Sequence, residues 1–185
     1  IMVITAVMAI VCLIAGMGLP TSAAYVLVAA VFAPALISQG LDPLAVHLFV
    51  LYFACLSVIT PPVCVGAFVA ATISDASWLQ VAKYAMLIGA GWYCIPFLFF
   101  AYPGLHLTGD VFDITNGVLA GLVIAFAVPN LVFGDPRQST KRLGAWLLSG
   151  LAIASLFSTS LIWSALGGLA VLSSLLLTRS DTHMQ

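Results

Sequence analysis

Two short runs of glycine, proline and threonine interrupt long apolar stretches of this sequence: residues 16–21 (GMGLPT) and residues 60–62 (TPP). At each run a helix is expected to end, a few residues to be unwound and a new helix to begin, which frees carbonyl and amide groups. Freed carbonyls and hydroxyls are hard oxygen ligands suited to Na⁺, whereas the positive end of a half-helix suits a carboxylate. The runs therefore predict a site for a cation and an organic acid.

The residues at and beside the two runs supply two sets of candidates, one for Na⁺ and one for the substrate. Glycine and proline would contribute only carbonyls, whereas threonine and serine would add hydroxyls without adding charge. The predicted Na⁺ ligands are Gly16, Gly18, Thr21, Ser57, Thr60 and Pro61. The predicted substrate contacts, which lie near helix N-termini, are Thr21, Ser22 and Pro62. Thr21 and Ser22 are also expected to cap the helix that follows the first run.

The composition is that of a membrane protein. Hydrophobic residues make up 63% and charged residues 6% of the 185 residues, whereas about a quarter of the residues in a soluble domain are charged. The net charge is −1. Nucleic-acid binding requires clustered basic residues, so nothing favours nucleic acid as a partner. The cysteines show no C-x-x-C spacing, so we expect no disulfide, no cofactor and no metal other than Na⁺.

The first run lies between two apolar stretches that are short for a membrane crossing. As helices, residues 1–15 and 21–37 would reach only ~22 and ~25 Å, less than the ~30 Å hydrocarbon core. Joined as one helix they would be far too long. We therefore predict a re-entrant hairpin over residues 1–37, with residues 16–21 at its tip. Unwound backbone at that depth requires burial in protein or a hydrated cavity.

The remaining apolar stretches predict further membrane helices. Residues 44–74 are expected to cross once as a broken helix, because consecutive prolines forbid a regular helix at residues 60–62. Residues 84–102 are expected to form the next span. Later spans are predicted at residues 114–133 and, as two short helices, at residues 145–178. The predicted fold class is thus an all-α, polytopic membrane protein.

Basic residues indicate the orientation of these spans. Arg137, Lys141 and Arg142 place the loop at residues 134–144 in the cytoplasm by the positive-inside rule. Counting the spans back from that loop also places Lys83 in the cytoplasm. On this count the hairpin enters the membrane from the periplasmic side.

Three motifs carry a resemblance to a known family. They are LIAGMGLPTSAAY at residues 13–25, AVHLFVLYF at residues 45–53 and LSVITPPV at residues 56–63. In this order they resemble the second-half motifs of tripartite ATP-independent periplasmic (TRAP) transporters. Within that family they are most similar to the large DctM-like membrane subunit in its fused permease form, over about residues 1–105.

The resemblance implies a mechanism, partners and a location. It implies an elevator-type secondary transporter, not an enzyme, with Na⁺ as coupling ion and a carboxylate delivered by a periplasmic solute-binding protein. It implies a multi-pass protein of the bacterial inner membrane, in contact with lipid. Residues 1–105 would be the C-terminal half of the transport domain and residues 106–185 additional transmembrane helices. Because the chain begins with Ile1 inside an apolar run, we expect an N-terminal part of the permease to precede it.

Other functions remain open from the residues alone. One alternative is a dicarboxylate or ion transporter of the same elevator type that works without a binding protein. Another is a membrane anchor subunit in which the breaks only allow close helix packing. An intramembrane enzyme is disfavoured, because no Ser/His pair, paired aspartates or H-E-x-x-H motif occurs within the spans. His47 allows a proton relay or, on the simpler interpretation, an interfacial hydrogen bond.

Overall fold

The structure is a computed structural model that describes residues 2–133, 140–155 and 167–173, and its regular elements are helical. The expected all-helical fold is confirmed for this part of the chain. In chain order the α-helices are α1 (Met2–Ala15), α2 (Thr21–Ile37), α3 (Pro43–Leu56), α4 (Val65–Ser74), α5 (Trp78–Ile88), α6 (Ile95–Leu98), α7 (Val111–Phe133) and α8 (Thr140–Ser155). Short 3₁₀ turns lie at Ala90–Tyr93 and Pro103–His106, and residues 167–173 are helical.

The chain forms two compact units. The first contains α1 to α5 together with Phe99–Ala101, and the second contains Gly89–Leu98 and the described residues from Tyr102 onward. The residues that predict a binding site all belong to the first unit.

In the first unit, α1 and α2 form an antiparallel pair joined by residues 16–20. The beginning of α1 lies beside the end of α2, where Val3 and Leu36 line the same small cavity. Gly18 has a φ of +77°, a left-handed conformation that favours glycine. Pro20, with φ −56°, precedes the first residue of α2, where its ring favours the start of a helix. These two residues explain why the chain reverses here.

Helix α3 is the core of the first unit. It begins sharply, because the Asp42 side chain accepts a hydrogen bond from the Ala45 amide at 2.9 Å and Pro43 occupies the first turn. Helices α1 and α2 both pack against it. The buried side chains of its central turns are Val46, Phe49, Val50 and Phe53. This packing fixes the C-terminal end of α3, where the second break begins.

The second break is longer than the sequence predicts. Unwinding was expected only at residues 60–62, but α3 ends at Leu56 and α4 begins at Val65. Two consecutive prolines remove two amide donors, so the turns on either side cannot continue a regular helix. Pro62, which is expected near a helix N-terminus, consequently lies inside a loop together with Thr60 and Pro61, three residues before α4 begins. This corrects the expectation for this break. Beyond α4 the chain bends by 115° into α5, with Asp75 in a left-handed conformation at the bend.

Residues 84–102 do not form the single helix that we expect from their composition. Helix α5 already begins at Trp78 and ends at Ile88, and a 3₁₀ turn and the short α6 follow. Gly89 and Gly91 weaken a helix at this point, since glycine loses more conformational entropy in a helix than other residues do. The backbone of Gly91 also packs directly against the backbone of α7. Pro96 lies within the first turn of α6, where a helix tolerates proline.

In the second unit, α7 packs against both 3₁₀ turns, α6 and α8. Among the described residues, Val111–Val132 is the helix long and apolar enough to cross a membrane, and α4 with α5 would be a second span if the bent pair counts as one. The span predicted at residues 114–133 lies within α7. Helix α8 begins at Thr140, inside the predicted loop. Of the predicted helices at residues 145–178, residues 156–166 and 174–178 lie outside the described residues.

Candidate functional site

A cavity of about 310 Å³ lies where the two breaks of the first unit meet. The end of α1, the start of α2, the end of α3 and the start of α4 all contribute to it. Its lining residues are Gly16, Gly18, Leu19, Pro20, Thr21, Ser57, Val58, Cys64 and Val65. The cavity is therefore built by four helix termini and not by the side of any one helix.

One hydroxyl joins the two breaks directly. Ser57 is only 2% exposed, and its single hydroxyl hydrogen is shared between the carbonyl oxygens of Ala54 at 2.7 Å and Gly16 at 3.1 Å. A Cβ atom on Gly16 would overlap with the Ser57 side chain, whose Cβ would be only 2.7 Å away. Glycine at position 16 is thus required for this contact. The Gly16 carbonyl and the Ser57 hydroxyl are close enough to contact the same small cation.

The first break leaves several polar groups without partners. In the described residues, the carbonyls of Met17, Gly18 and Leu19 accept no hydrogen bond, and the Thr21 hydroxyl makes none. The expectation that Thr21 and Ser22 cap α2 is wrong. Pro20 is the N-cap residue and no side chain caps the helix, because Thr21 already belongs to its first turn. The Thr21 hydroxyl is therefore available to a ligand in the cavity.

The second break is held by hydrogen bonds to both of its helices. The Thr60 hydroxyl donates to the Leu56 carbonyl at 2.7 Å, on the α3 side. The Gly66 amide donates to the Val58 carbonyl at 3.0 Å, on the α4 side. A Cβ atom on Gly66 would meet this carbonyl at 3.3 Å, so the backbones are in close contact. The loop is a defined structure in which both of its ends are fixed.

Residues 1–114 match the DctM component of tripartite ATP-independent periplasmic transporters. The chain belongs to the DctM family. This confirms the family resemblance, and it identifies a transporter and not an enzyme. DctM proteins are inner-membrane components of secondary transport systems that depend on a periplasmic solute-binding protein. No curated protein and no solved structure matches this chain.

The structure of this chain brings some of the predicted site residues together and leaves others apart. Gly16, Gly18, Thr21 and Ser57 line the cavity, whereas the remaining predicted residues do not. Those outside the lining are Ser22, Thr60, Pro61 and Pro62. Ser22 and Pro62 are exposed, and Thr60 and Pro61 are half-buried in the second loop.

Sequence reasoning missed the apolar part of the lining, above all Val58, Cys64 and Val65. For Val58 the sequence does contain a signal that its carbonyl takes part in the second break. In a helix the amide of Pro62 would bond to the carbonyl of Val58, so the missing N–H predicts that this carbonyl needs another donor. The structure shows Gly66 as that donor. No comparable signal identifies Cys64 or Val65, because the length of the loop decides their position.

The lining of the DctM cavity carries no formal charge. Asp42, the nearest carboxylate along α3, caps the opposite end of this 14-residue helix, ~21 Å from Ser57. In the described residues no group of three histidine, cysteine or acidic side chains could hold a metal ion. Sites for divalent cations usually use carboxylates. Neutral carbonyl and hydroxyl oxygens therefore suit a monovalent cation better than a divalent one.

Proposed function

We propose that this DctM chain contributes half of the ion and substrate site of an elevator-type, Na⁺-coupled importer of small organic acids. The observation that supports the proposal is the uncharged, oxygen-bearing cavity at the meeting point of the two breaks. Unwound backbone at membrane depth is expected where it lines a site for an ion or a substrate. A non-transporting anchor would have no need of such a cavity.

The proposed cation site uses oxygens that the first break and the end of α3 supply. The Gly16 carbonyl and the Ser57 hydroxyl lie 3.1 Å apart. The Gly18 carbonyl and the Thr21 hydroxyl have no hydrogen-bond partner in the described residues. We assign these four oxygens to Na⁺ as its ligands. Thr60 and Pro61 remain ligand candidates only if the loop rearranges when the ion binds.

The proposed carboxylate site is the N-terminus of α2. This helix has 17 residues, and its first internal backbone bond runs from the Ala24 amide to the Pro20 carbonyl at 3.0 Å. The amides of Thr21, Ser22 and Ala23 precede that bond and have no acceptor in the described residues. Amides at a helix N-terminus bind anions through their N–H groups and the helix dipole. Ser22 and Pro62 are placed near the substrate in this proposal.

We further propose how the chain lies in the membrane. Helices α1 and α2 have 14 and 17 residues, so ~21 and ~25 Å as helices. Their antiparallel pairing and short length support a re-entrant hairpin that enters from the periplasm. Residues 1–105 would be the C-terminal half of the transport domain, and residues 106–185 would add transmembrane helices in a fused permease.

The test uses the complete transporter in proteoliposomes with its periplasmic binding protein. Radiolabelled carboxylates loaded on the binding protein are offered under an inward Na⁺ gradient or an equal K⁺ gradient. We expect uptake only with Na⁺. Thr21→Val should raise the half-saturating Na⁺ concentration at least about tenfold, since a hydroxyl that contacts a charge contributes about 1.5–3 kcal/mol. The matched control is Thr72→Val, because the Thr72 hydroxyl is exposed and bonds only within α4.

Each alternative predicts a different result. Equal uptake with Na⁺ and K⁺ would overturn Na⁺ as the coupling ion. Uptake of free carboxylate at the same rate without the binding protein would identify a binding-protein-independent transporter. If Thr21→Val and Thr72→Val both leave the half-saturating Na⁺ concentration unchanged, the assignment of Thr21 to the site is wrong.

A further inference from the structure

A side-chain hydrogen bond joins α2 to α3 away from the cavity lining. The Tyr25 hydroxyl oxygen lies 3.0 Å from Nδ1 of His47, and the ring centroids are 6.1 Å apart. Both side chains are half-buried. Neither residue lines the cavity, so the proposed chemistry of the site gives no reason for this pair.

The two residues lie on elements that carry the cavity. Tyr25 follows Thr21 by one turn of α2, so both side chains project from the same face of the helix. His47 lies on α3, which ends at Leu56 and is followed by Ser57 as its C-cap residue. Because the side chains of α3 are the most deeply buried of the first unit, α3 is the fixed partner and α2 is the element that is held.

We propose that Tyr25 and His47 are positioning residues that hold the first turn of α2, and with it Thr21, at the cavity. The Ser57 hydroxyl holds the other end of the first break through Gly16. The break is thereby restrained on both sides, by a hydrogen bond at the end of α1 and by another near the start of α2. This inference rests on the proposed function only where it concerns ion affinity.

The chemistry of the pair suits a permanent contact. A neutral imidazole accepts the Tyr25 hydroxyl proton at Nδ1, and a protonated imidazole donates from Nδ1 to the hydroxyl oxygen. Either protonation state therefore retains the bond. The other ionisable side chains on α1, α2 and α3 are Cys12, Tyr52 and Cys55, and the Asp42 carboxylate caps the start of α3. The pair is thus a positioning contact and not a pH switch.

The test compares His47→Leu with His47→Asn, alongside Tyr25→Phe, in the complete transporter. Asparagine places an amide atom where Nδ1 lies, whereas leucine places a methyl group there. Leucine is the better helix former of the two, so an effect on helix propensity alone would make His47→Asn the more damaging change. The hydrogen bond predicts the opposite order. Tyr84→Phe is the matched control, because Tyr84 is 59% exposed and its hydroxyl has no partner in the described residues.

Two measurements separate this inference from the proposed function. The first is hydrogen exchange of the backbone of residues 21–28 in lipid nanodiscs, which requires no assumption about the ion. The second is the half-saturating Na⁺ concentration for uptake. Tyr25→Phe and His47→Leu should each increase the exchange rate of residues 21–28 and the half-saturating Na⁺ concentration by about fivefold, which is the net effect of one hydrogen bond. The maximum uptake rate should stay unchanged. The double variant should show the same increase in both quantities as either single variant, because all three lose the same hydrogen bond. His47→Asn should show a near-normal exchange rate and half-saturating Na⁺ concentration.

Unchanged exchange in Tyr25→Phe and His47→Leu would overturn the proposal, as would additive effects in the double variant. Faster exchange with an unchanged half-saturating Na⁺ concentration would show that the pair holds α2 but does not position the site, which also overturns it. If the unsubstituted transporter takes up substrate without regard to Na⁺, the proposed coupling ion is wrong. The positioning role is then tested by exchange and by the half-saturating carboxylate concentration.

Discussion

The Ser57 hydroxyl donates to the Gly16 carbonyl at 3.1 Å, although the two residues are 41 positions apart in the chain. This contact makes the two breaks one structural feature. The Gly16 carbonyl is held in place by the hydroxyl, and Ser57 is held by the buried core of α3. A substitution at either residue should consequently disturb both breaks.

Gly16→Ala should abolish Na⁺-dependent uptake and lower the thermal stability of the purified transporter. The new methyl group would overlap with the Ser57 side chain and lie 3.1 Å from the Cys12 carbonyl. Overpacking of this kind costs about 1–3 kcal/mol. Uptake in proteoliposomes and thermal unfolding in detergent measure the two effects.

The control for this substitution is Gly150→Ala, since nothing lies within 4 Å of a Cβ atom at position 150 in α8. Alanine there should leave stability unchanged or raise it by up to about 1 kcal/mol. Adding Ser57→Gly to Gly16→Ala should restore part of the stability without restoring uptake. Normal uptake by Gly16→Ala would contradict the close contact between the breaks.

Ser57→Ala should lower stability by about 1–3 kcal/mol, because it leaves the buried Gly16 carbonyl without its donor. It should also raise the half-saturating Na⁺ concentration for uptake. Ser74→Ala is the comparison, because the Ser74 hydroxyl is exposed and bonds only to the Ala70 carbonyl of its own helix. A change within about 0.5 kcal/mol is expected there. Equal effects of the two substitutions would argue against a special role for Ser57.

The ends of the first break could be predicted from the sequence, because local chemistry fixes them. Gly18 supplies a left-handed turn and Pro20 starts a helix whatever the surroundings. The start of α3 at Pro43 lies one residue before the predicted start at residue 44. The contact between Gly16 and Ser57 could not be predicted, because it depends on how α1 packs against α3.

The second break and the region after α5 show where local reasoning fails. Pro61 and Pro62 predict that a helix stops, but the length of the loop depends on the bond between Gly66 and Val58, which is set by packing. Residues 84–102 are apolar enough for a continuous helix. Gly91 instead brings its backbone against α7, and only a tertiary contact explains that choice.

Asp42 should act as a helix cap and not as a charged functional group. Asp42→Ala should destabilise α3 by about 1 kcal/mol, whereas Asp42→Asn should be close to neutral, because an amide oxygen can accept the same bond from Ala45. Thermal unfolding and Na⁺-dependent uptake of both variants provide the test. A loss of uptake in Asp42→Asn as large as in Asp42→Ala would mean that the charge itself is required.

Gly91→Ala should destabilise the second unit without altering the ion site chemically. A Cβ atom at position 91 would lie 2.6 Å from the Ile124 carbonyl oxygen and 2.9 Å from the Ala125 Cα atom, both in the backbone of α7. A backbone cannot move aside as a side chain can, so we expect a loss of about 1–3 kcal/mol.

Gly121→Ala on α7 is the matched control, because its methyl group would meet only the flexible Leu105 side chain, at 3.3 Å. Thermal unfolding should separate the two substitutions clearly. The folded fraction of the Gly91→Ala variant should have a normal half-saturating Na⁺ concentration, since the predicted ligands all lie in the first unit. A large increase in that concentration would show that the second unit contributes to ion binding.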